Sequence, residues 1–283
     1  MANDSEKTDH RDKEFPMTDK DFQRISELAG RYTGIVLGDH KRDMVYGRIA
    51  RRVRKLNLFS FTDYLDYLEA NITQELSSFI NVITTNLTSF FRENHHFDYL
   101  EKTVFPELRV KNSAAKRMRI WSAGCSSGQE PYSIAMTLLK TPMPSGWDIK
   151  ILATDLDSDI LTKAKNAVYS IQDIDGLSDA IIKGSFQHSS NNKEVKIKDK
   201  VSKFIHFKRL NLLEKWPMSG PFDAIFCRNV VIYFDKPTQK VLFNRYADML
   251  AVGGYLFIGH SENLNGISNR FENLGHTVYR KIF

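Results

Sequence analysis

The sequence predicts an α/β protein: a doubly wound, mostly parallel sheet with a small antiparallel insertion, preceded by an all-helical domain. Three observations carry this. From about residue 116 onward, short apolar runs alternate with helical patterns, the rhythm of βαβ units. Before residue 84, apolar residues recur only at helical spacing. Between 195 and 207, two short segments alternate apolar and polar residues as antiparallel strands do. With 283 residues, 42% of them apolar, the chain can bury a core large enough for two domains.

In the amino-terminal part, Thr18, Asp19 and Asp21 can cap a helix that buries Phe22, Ile25 and Leu28. After Gly30, Gly34 and Gly38, a second helix carries Val45, Ile49, Val53 and Leu56 on one face. Phe61, Tyr64, Leu65 and Leu68 mark a third, and Leu76, Phe79, Ile80 and Ile83 a fourth. Residues 1–15 are polar and mixed in charge and read as a loose tail; 16–83 form the helical domain. Residues 84–115, opening with three threonines and an asparagine within five positions, read as a linker whose polar groups can line an interdomain pocket.

The second part, 116–283, begins with a buried strand over 116–120 that runs into Trp121-Ser122-Ala123-Gly124-Cys125-Ser126-Ser127-Gly128-Gln129-Glu130 and then a helical pattern through Ile134, Leu138 and Leu139. A strand that turns through glycines into a helix is where an α/β sheet holds a cofactor. Gly124 lets the backbone turn tightly beside it. Only Gly124 and Gly128 are present, short of a dinucleotide fingerprint, and the Gly-Lys-Ser/Thr end of a phosphate loop is missing. A second apolar strand, 149–153, ends in Thr154-Asp155, 25 residues beyond Glu130, where a carboxylate can grip a ribose diol. The two sites together indicate a nucleoside-containing cofactor without a phosphate clamp, which favours S-adenosylmethionine. Glu130 at the helix start suits either a cap or a cofactor ligand.

Further strands are expected at 222–227, 255–258 and 277–282, with a helix at 237–250 ending in Val252-Gly253-Gly254. The alternating segments 195–198 and 204–207 are expected to pair as a hairpin-like insertion spanning 186–207, or else as an edge hairpin of the main sheet. Asn211-Leu212 follows the insertion closely and Arg228-Asn229 follows a buried strand, and loops at the carboxyl ends of parallel strands wall an α/β crevice; Tyr233 reads equally as core or site. Cys125 and Cys227 fall at strand ends and read as buried free thiols of a cytosolic protein. His95-His96 does not read as a metal site, because adjacent imidazoles on a helix diverge. No metal is expected. No apolar run approaches the roughly 18–20 residues of a membrane span, so no membrane insertion is expected.

The formal charge of +6 asks for an acidic partner. Residues 41–55 hold seven Lys or Arg against one Asp, so their net charge equals that of the whole chain. Arg48, Arg51, Arg52 and Lys55 make one basic face on the second helix. No aromatic ladder or base-reading motif accompanies it, so nucleic acid is not the expected partner.

Thr84-Thr85-Asn86-Leu87-Thr88-Ser89-Phe90-Phe91-Arg92-Glu93, the glycine turn, Ala153-Thr154-Asp155, Asn211-Leu212 and Arg228-Asn229-Val230-Val231-Ile232-Tyr233-Phe234-Asp235 together resemble the bacterial chemotaxis receptor methyltransferases. The likeness covers 17–283. It implies a helical domain, a sheet of the S-adenosylmethionine-dependent methyltransferase type and an antiparallel insertion. It also implies transfer of methyl to receptor glutamates, giving glutamyl methyl esters and S-adenosylhomocysteine in a cytoplasmic monomer recruited to receptor arrays. Around the cofactor the resemblance puts Asn86, Thr88, Arg92, Glu130, Asp155, Asn211, Leu212, Arg228 and Asn229, and it links Arg92 and Tyr233 with the reacting site. It gives the Arg48, Arg51, Arg52 and Lys55 face the receptor to approach. Some relatives tether a receptor carboxyl-terminal peptide through a glycine-bearing loop of the insertion. This chain has no glycine over 185–219, so such tethering is expected to be weak or absent. Competing readings are a small-molecule or RNA methyltransferase, which would need a narrow pocket or basic residues reaching the crevice, and a cofactor-binding signalling module without turnover.

Overall fold

The computed structural model describes residues 14–283. Most of the expected 1–15 tail lies outside them. Two compact units divide the chain, one comprising Val36–Ile83 with the residues up to Tyr32, the other Thr33–Ile35 with Thr84–Phe283.

The first unit contains α1 (Asp19–Thr33), α2 (Arg42–Lys55), α3 (Phe61–Ala70) and α4 (Ile72–Ile83). Thr18 and Asp21 cap α1 reciprocally: the Thr18 hydroxyl accepts from the Asp21 amide at 3.1 Å and the Asp21 carboxylate from the Thr18 amide at 2.9 Å. Ser60 caps α3 through the Asp63 amide. Ile25, Val45, Ile49, Val53, Phe61, Leu65, Leu68 and Phe79 are buried, so the helical periodicities do mark the faces that meet.

The second unit opens on helix. Residues 84–115, expected as a linker, instead continue after residue 94 into α5 (His95–Tyr99), a π-helical turn at Leu100–Val104 and α6 (Phe105–Lys111). Phe97, Leu100, Val104, Phe105 and Leu108 join the sheet's own core, which removes them from any flexible connection. Then follow β1 (Arg117–Ala123), α7 (Gln129–Lys140), β2 (Asp148–Asp155), α8 (Ser158–Asn166), β3 (Val168–Ser170), α9 (Asp179–Ser185), β4 (Phe186–His188), β5 (Glu194–Ile197), α10 (Asp199–Ser202), β6 (Ile205–Arg209), β7 (Phe222–Cys227), α11 (Lys236–Met249), β8 (Leu250–Ile258), β9 (Phe271–Asn273) and β10 (Val278–Lys281).

Seven strands form the main sheet in the order β6-β2-β1-β7-β8-β10-β9. The first five are parallel; β10 runs antiparallel to both β8 and β9. All six residues of β7 are buried, as a central strand covered on both faces requires. Alternate residues feed two cores: Ile120, Phe226 and Phe257 on one face, Trp121, Ile225, Cys227, Leu256 and Ile258 on the other. Cys125 and Cys227 are buried free thiols.

Two boundaries differ from expectation. The predicted hairpin does not form. Residues 205–207 belong to β6, which runs parallel to β2, whereas β5 is the middle strand of a separate antiparallel sheet, β3-β5-β4. Alternation signals a half-buried strand but carries no information on its partner. Gly253 and Gly254 do not end a helix: α11 stops at Met249, and β8 begins at once, with an irregular register opposite Phe222 and Ala224. Among the described residues, no helix is long and apolar enough to cross a membrane.

Candidate active site

Strand order reverses between β1 and β7, and the crevice of such a sheet lies outside the carboxyl ends of those strands. Two loops emerge there: 124–128, leading into α7, and 228–233, a short turn before α11. The 124–128 loop bends through Gly124 (φ +92°), Ser126 (φ +47°) and Gly128 (φ +94°). The amides of Gly124 and Cys125 both donate to the Thr154 carbonyl at 2.8 and 2.9 Å, which locks this turn to the end of β2. A side chain at Gly124 would collide with Val230 from the second loop, so the glycine serves a close approach of the two loops as well as its left-handed backbone.

Asp155 ends β2 facing this turn. Its Oδ2 accepts from the Ser126 amide at 2.7 Å and its Oδ1 from the Asp157 amide at 3.1 Å. Burial pushes its carboxyl up to about 6, although these backbone hydrogen bonds pull the other way. The Leu156 backbone also bonds this carboxylate, which as an acceptor-only group at the strand tip suits the hydroxyls of a vicinal diol. Immediately beyond β6, the Leu210 amide donates to the Asp155 carbonyl at 3.0 Å, bringing Asn211 and buried Leu212 beside it. The Asn211 side chain accepts from the Leu213 amide at 3.0 Å, and the Leu212 carbonyl accepts from Trp216 Nε1 at 3.1 Å.

The 84–92 segment lies against the first loop. Asn86 Nδ2 donates to Asp157 at 2.8 Å, while its carbonyl accepts from the Ser126 hydroxyl at 3.0 Å. Thr84 also donates to Asp157, at 2.9 Å, and Asp157 caps α8 through the amides of Asp159 and Ile160. Thr88 is half-buried in this segment. Arg92 Nη1 donates to the Leu87 carbonyl at 2.9 Å, and its own carbonyl accepts from the Arg228 guanidinium.

Arg228 centres a buried charge cluster. Its side chain is 2% exposed and faces Glu93 and Glu130, each at 3.4 Å, and stands over the Phe97 ring. Glu130 Oε1 also accepts from the Ser122 hydroxyl at 2.7 Å. Burial raises the Glu130 carboxyl above its ordinary value against the opposing pull of Arg228. For Glu93 burial pulls upward, but a hydrogen bond from His260 and the Arg228 charge prevail and hold it at about 2. His96 is driven down to about 3, first by burial and then by Arg228.

The expectation that His95 and His96 diverge is corrected: their rings lie 4.2 Å apart, and with Glu93 they offer ligand atoms within 4.8 Å of one another. Glu93 is already engaged, however, by His260 at 2.9 Å and by the Arg228 guanidinium, and His96 Nε2 lies 2.9 Å from the His276 carbonyl. A second cation there would meet Arg228 in a poorly solvated site.

Asn229 follows in the left-handed region (φ +58°), and Tyr233 is half-buried at the end of the same turn. Asn86, Arg92, Gly124, Glu130, Asp155, Asn211, Leu212, Arg228 and Asn229 are thus linked through the two loops and their neighbours. Sequence reasoning missed Ser126, Asp157, Glu93 and Glu262, whose side chains tie the loops together; none carries a local pattern that marks its distant partner.

Arg48, Arg51, Arg52 and Lys55 belong to the helical unit and do not form one uniform face. Arg51 and Lys55 are exposed, but Arg48 is half-buried and donates to the Val82 carbonyl at 3.2 Å. Arg52 turns inward onto Glu75, with Nε–Oε1 at 2.6 Å and Nη2–Oε2 at 2.5 Å; their side chains are 15% and 3% exposed. Arg54, which sequence reasoning left out of the face, is exposed and paired with Glu14.

A parallel sheet with a glycine turn, a carboxylate at the tip of the second strand and no phosphate clamp defines an S-adenosylmethionine-dependent methyltransferase. The family can be stated as well. The family model described as CheR methyltransferase, SAM binding domain, matches residues 86–280, and CheR methyltransferase, all-alpha domain, matches 20–84. The chain belongs to this family. It is 44% identical to the chemotaxis protein methyltransferase of Escherichia coli K12 over 93% of this chain and 91% of that one. It is 43% identical to the Salmonella typhimurium protein of that name, over 93% and 90%. Chemotaxis protein methyltransferase 2 of Pseudomonas aeruginosa is 40% identical, over 94% of each chain.

Proposed function

We propose that this methyltransferase esterifies glutamate side chains of methyl-accepting chemotaxis receptors, releasing S-adenosylhomocysteine. The observation that carries the reading is identity of 40–44% to chemotaxis protein methyltransferases over nearly the whole chain. Asp155 holds the ribose diol by accepting from its hydroxyls. Asn86, Thr88, Asn211, Leu212, Arg228 and Asn229 complete the cofactor surround, with Glu130 accepting from the cofactor's ammonium group. The bound cofactor would supply a methyl group activated by a sulfonium.

An ionised glutamate is already a nucleophile, so no strong general base is required. What the protein must provide is in-line placement and exclusion of water. Tyr233 orients the accepting oxygen by a hydrogen bond from its hydroxyl. Arg92 orients cofactor or substrate carboxylate; an arginine held tightly on the attacking oxygen would lower its nucleophilicity. The exposed basic residues of α2 steer the enzyme to an acidic helical surface, which favours encounter rate and register more than net affinity.

The antiparallel sheet supports weak or absent tethering of a receptor tail. Its β4–β5 turn is closed by its own side chains, with Ser189 Oγ donating to the Glu194 carbonyl at 2.9 Å and Asn191 Oδ1 accepting from the Lys193 amide at 3.0 Å. The enzyme acts as a cytoplasmic monomer recruited to receptor arrays. The deciding assay is transfer of labelled methyl from S-adenosylmethionine to membranes bearing a chemoreceptor, followed by base treatment. Receptor-dependent label released as methanol supports the reading; cofactor binding without such label across several receptors refutes it.

A further inference from the structure

The loop carrying Arg228, Asn229 and Tyr233 has no regular secondary structure beyond one tight turn, yet it must hold its side chains at the crevice. Its support comes from a residue outside every motif noted in the sequence. Glu262 lies in the turn that follows β8 and is 5% exposed. Its Oε1 accepts from the amides of Val230 at 3.0 Å and Ile232 at 3.3 Å. Its Oε2 accepts from the amides of Asn229 at 3.1 Å and Gly259 at 2.6 Å. Four backbone donors therefore fill the four lone-pair positions of one buried carboxylate. Three of the four belong to the 228–233 loop.

The surroundings make this an anchor specific to that loop. Asn229 occupies the left-handed region, which asparagine adopts more readily than other side-chain-bearing residues, and the Glu262 contact to its amide fixes it in this turn. A side chain at Gly259 would come within 2.9 Å of the Asn229 amide nitrogen and 2.6 Å of its Nδ2, so the loop sits directly on that glycine. On the other side Val230 fills the space above Gly124. The loop is gripped between the turn after β1 and the turn after β8.

We propose that Glu262 is a positioning residue for methyl transfer, holding Asn229 and Tyr233 in their working geometry through the loop backbone. The inference rests on the assignment of Asn229 and Tyr233 to the site under Proposed function. With its carboxylate oxygens taken up by backbone amides, Glu262 acts through the loop. A glutamine there presents one oxygen and one NH₂ group, so part of the donor set loses its acceptor and meets another donor. An aspartate keeps the charge but shortens the reach.

The test uses the full chain. Binding of S-adenosylhomocysteine is measured by calorimetry, and methyl transfer to receptor membranes at saturating cofactor, at a temperature where circular dichroism shows each variant folded. Glu262→Gln is expected to raise the dissociation constant at least tenfold and to lower kcat at least tenfold, with Glu262→Asp between it and the unmodified protein. If Glu262→Gln does not fold, Gly259→Ala displaces the same loop while leaving the carboxylate in place, and the same two changes are expected. A role confined to stability would lower the melting temperature and leave both readouts of the folded protein within twofold, which would overturn the proposal. Asn229→Ala is the control for the underlying reading. If it weakens binding while a folded Glu262→Gln does not, the Glu262 inference fails alone; if neither does, the assignment of the loop to the cofactor site fails.

Discussion

Replacing Arg52 should damage the helical unit rather than the encounter with receptor. Its guanidinium makes a bidentate contact with Glu75, at 2.6 and 2.5 Å, and Glu75 also accepts from the Tyr64 hydroxyl at 3.2 Å. Arg52→Met leaves a carboxylate that is only 3% exposed facing a single neutral donor. Breaking a buried pair from one side costs about 3–5 kcal/mol, a large part of the roughly 5–15 kcal/mol that holds a typical domain folded. Removing both partners in Arg52→Met/Glu75→Met takes away the uncompensated charge. What remains is the stranded Tyr64 hydroxyl, about 1–3 kcal/mol, which Tyr64→Phe should recover. Urea unfolding can be followed separately in the two units. All three tryptophans, Trp121, Trp147 and Trp216, lie in the second, so their fluorescence reports that unit while helical circular dichroism also reports the first. The single variant should lose helical signal at lower urea with an unchanged tryptophan transition, and the triple variant should return close to the starting midpoint. An Arg52→Met protein as stable as the parent but defective on receptor would refute the reasoning and restore Arg52 to the contact face.

Charge reversal of the exposed residues, Arg51→Glu, Arg54→Glu and Lys55→Glu together, should slow receptor methylation severalfold at low salt and leave S-adenosylhomocysteine affinity unchanged; equal rates at low salt would make this face a solvated surface only. Tyr233→Phe should lower kcat at least tenfold with cofactor affinity within twofold, measured by initial rates and calorimetry, since only one hydroxyl is lost; undiminished turnover would remove the orienting role. If ribose hydroxyls donate to Asp155 as proposed, they need it ionised, and burial pushes its carboxyl up to about 6, so cofactor binding would favour the deprotonated form. Affinity should therefore be full above that value and weaken by up to tenfold per pH unit below it; Asp155→Asn should bind weakly and flatten the contribution from this group.

Much of the sheet was legible because it rests on local patterns. The apolar run 222–227 is buried throughout, and a strand covered on both faces cannot be polar on either. The glycine turn and Asp155 were legible for a related reason: a tight bend and a strand tip are local conditions with strong residue preferences. The basic helix was read less well. Spacing puts Arg48, Arg51, Arg52 and Lys55 on one side of a cylinder, but it does not reveal that Glu75 on another helix draws Arg52 inward.

The same division runs through the whole molecule. Local patterns carried the helices of the first unit, the buried strands of the main sheet, the glycine turn after β1 and the family likeness, all of which depend on residues close along the chain; they missed the helices at 95–111. Long-range packing decided that β5 pairs with β3 and β4 while 205–207 joins the parallel sheet, that Arg228 lies between Glu93 and Glu130, and that Glu262 reaches back to the amides of 229, 230 and 232. Periodicity states which side of an element must leave water. It does not name the partner, because the partner is chosen by long-range geometry and by the need of each buried charge and amide for a counterpart.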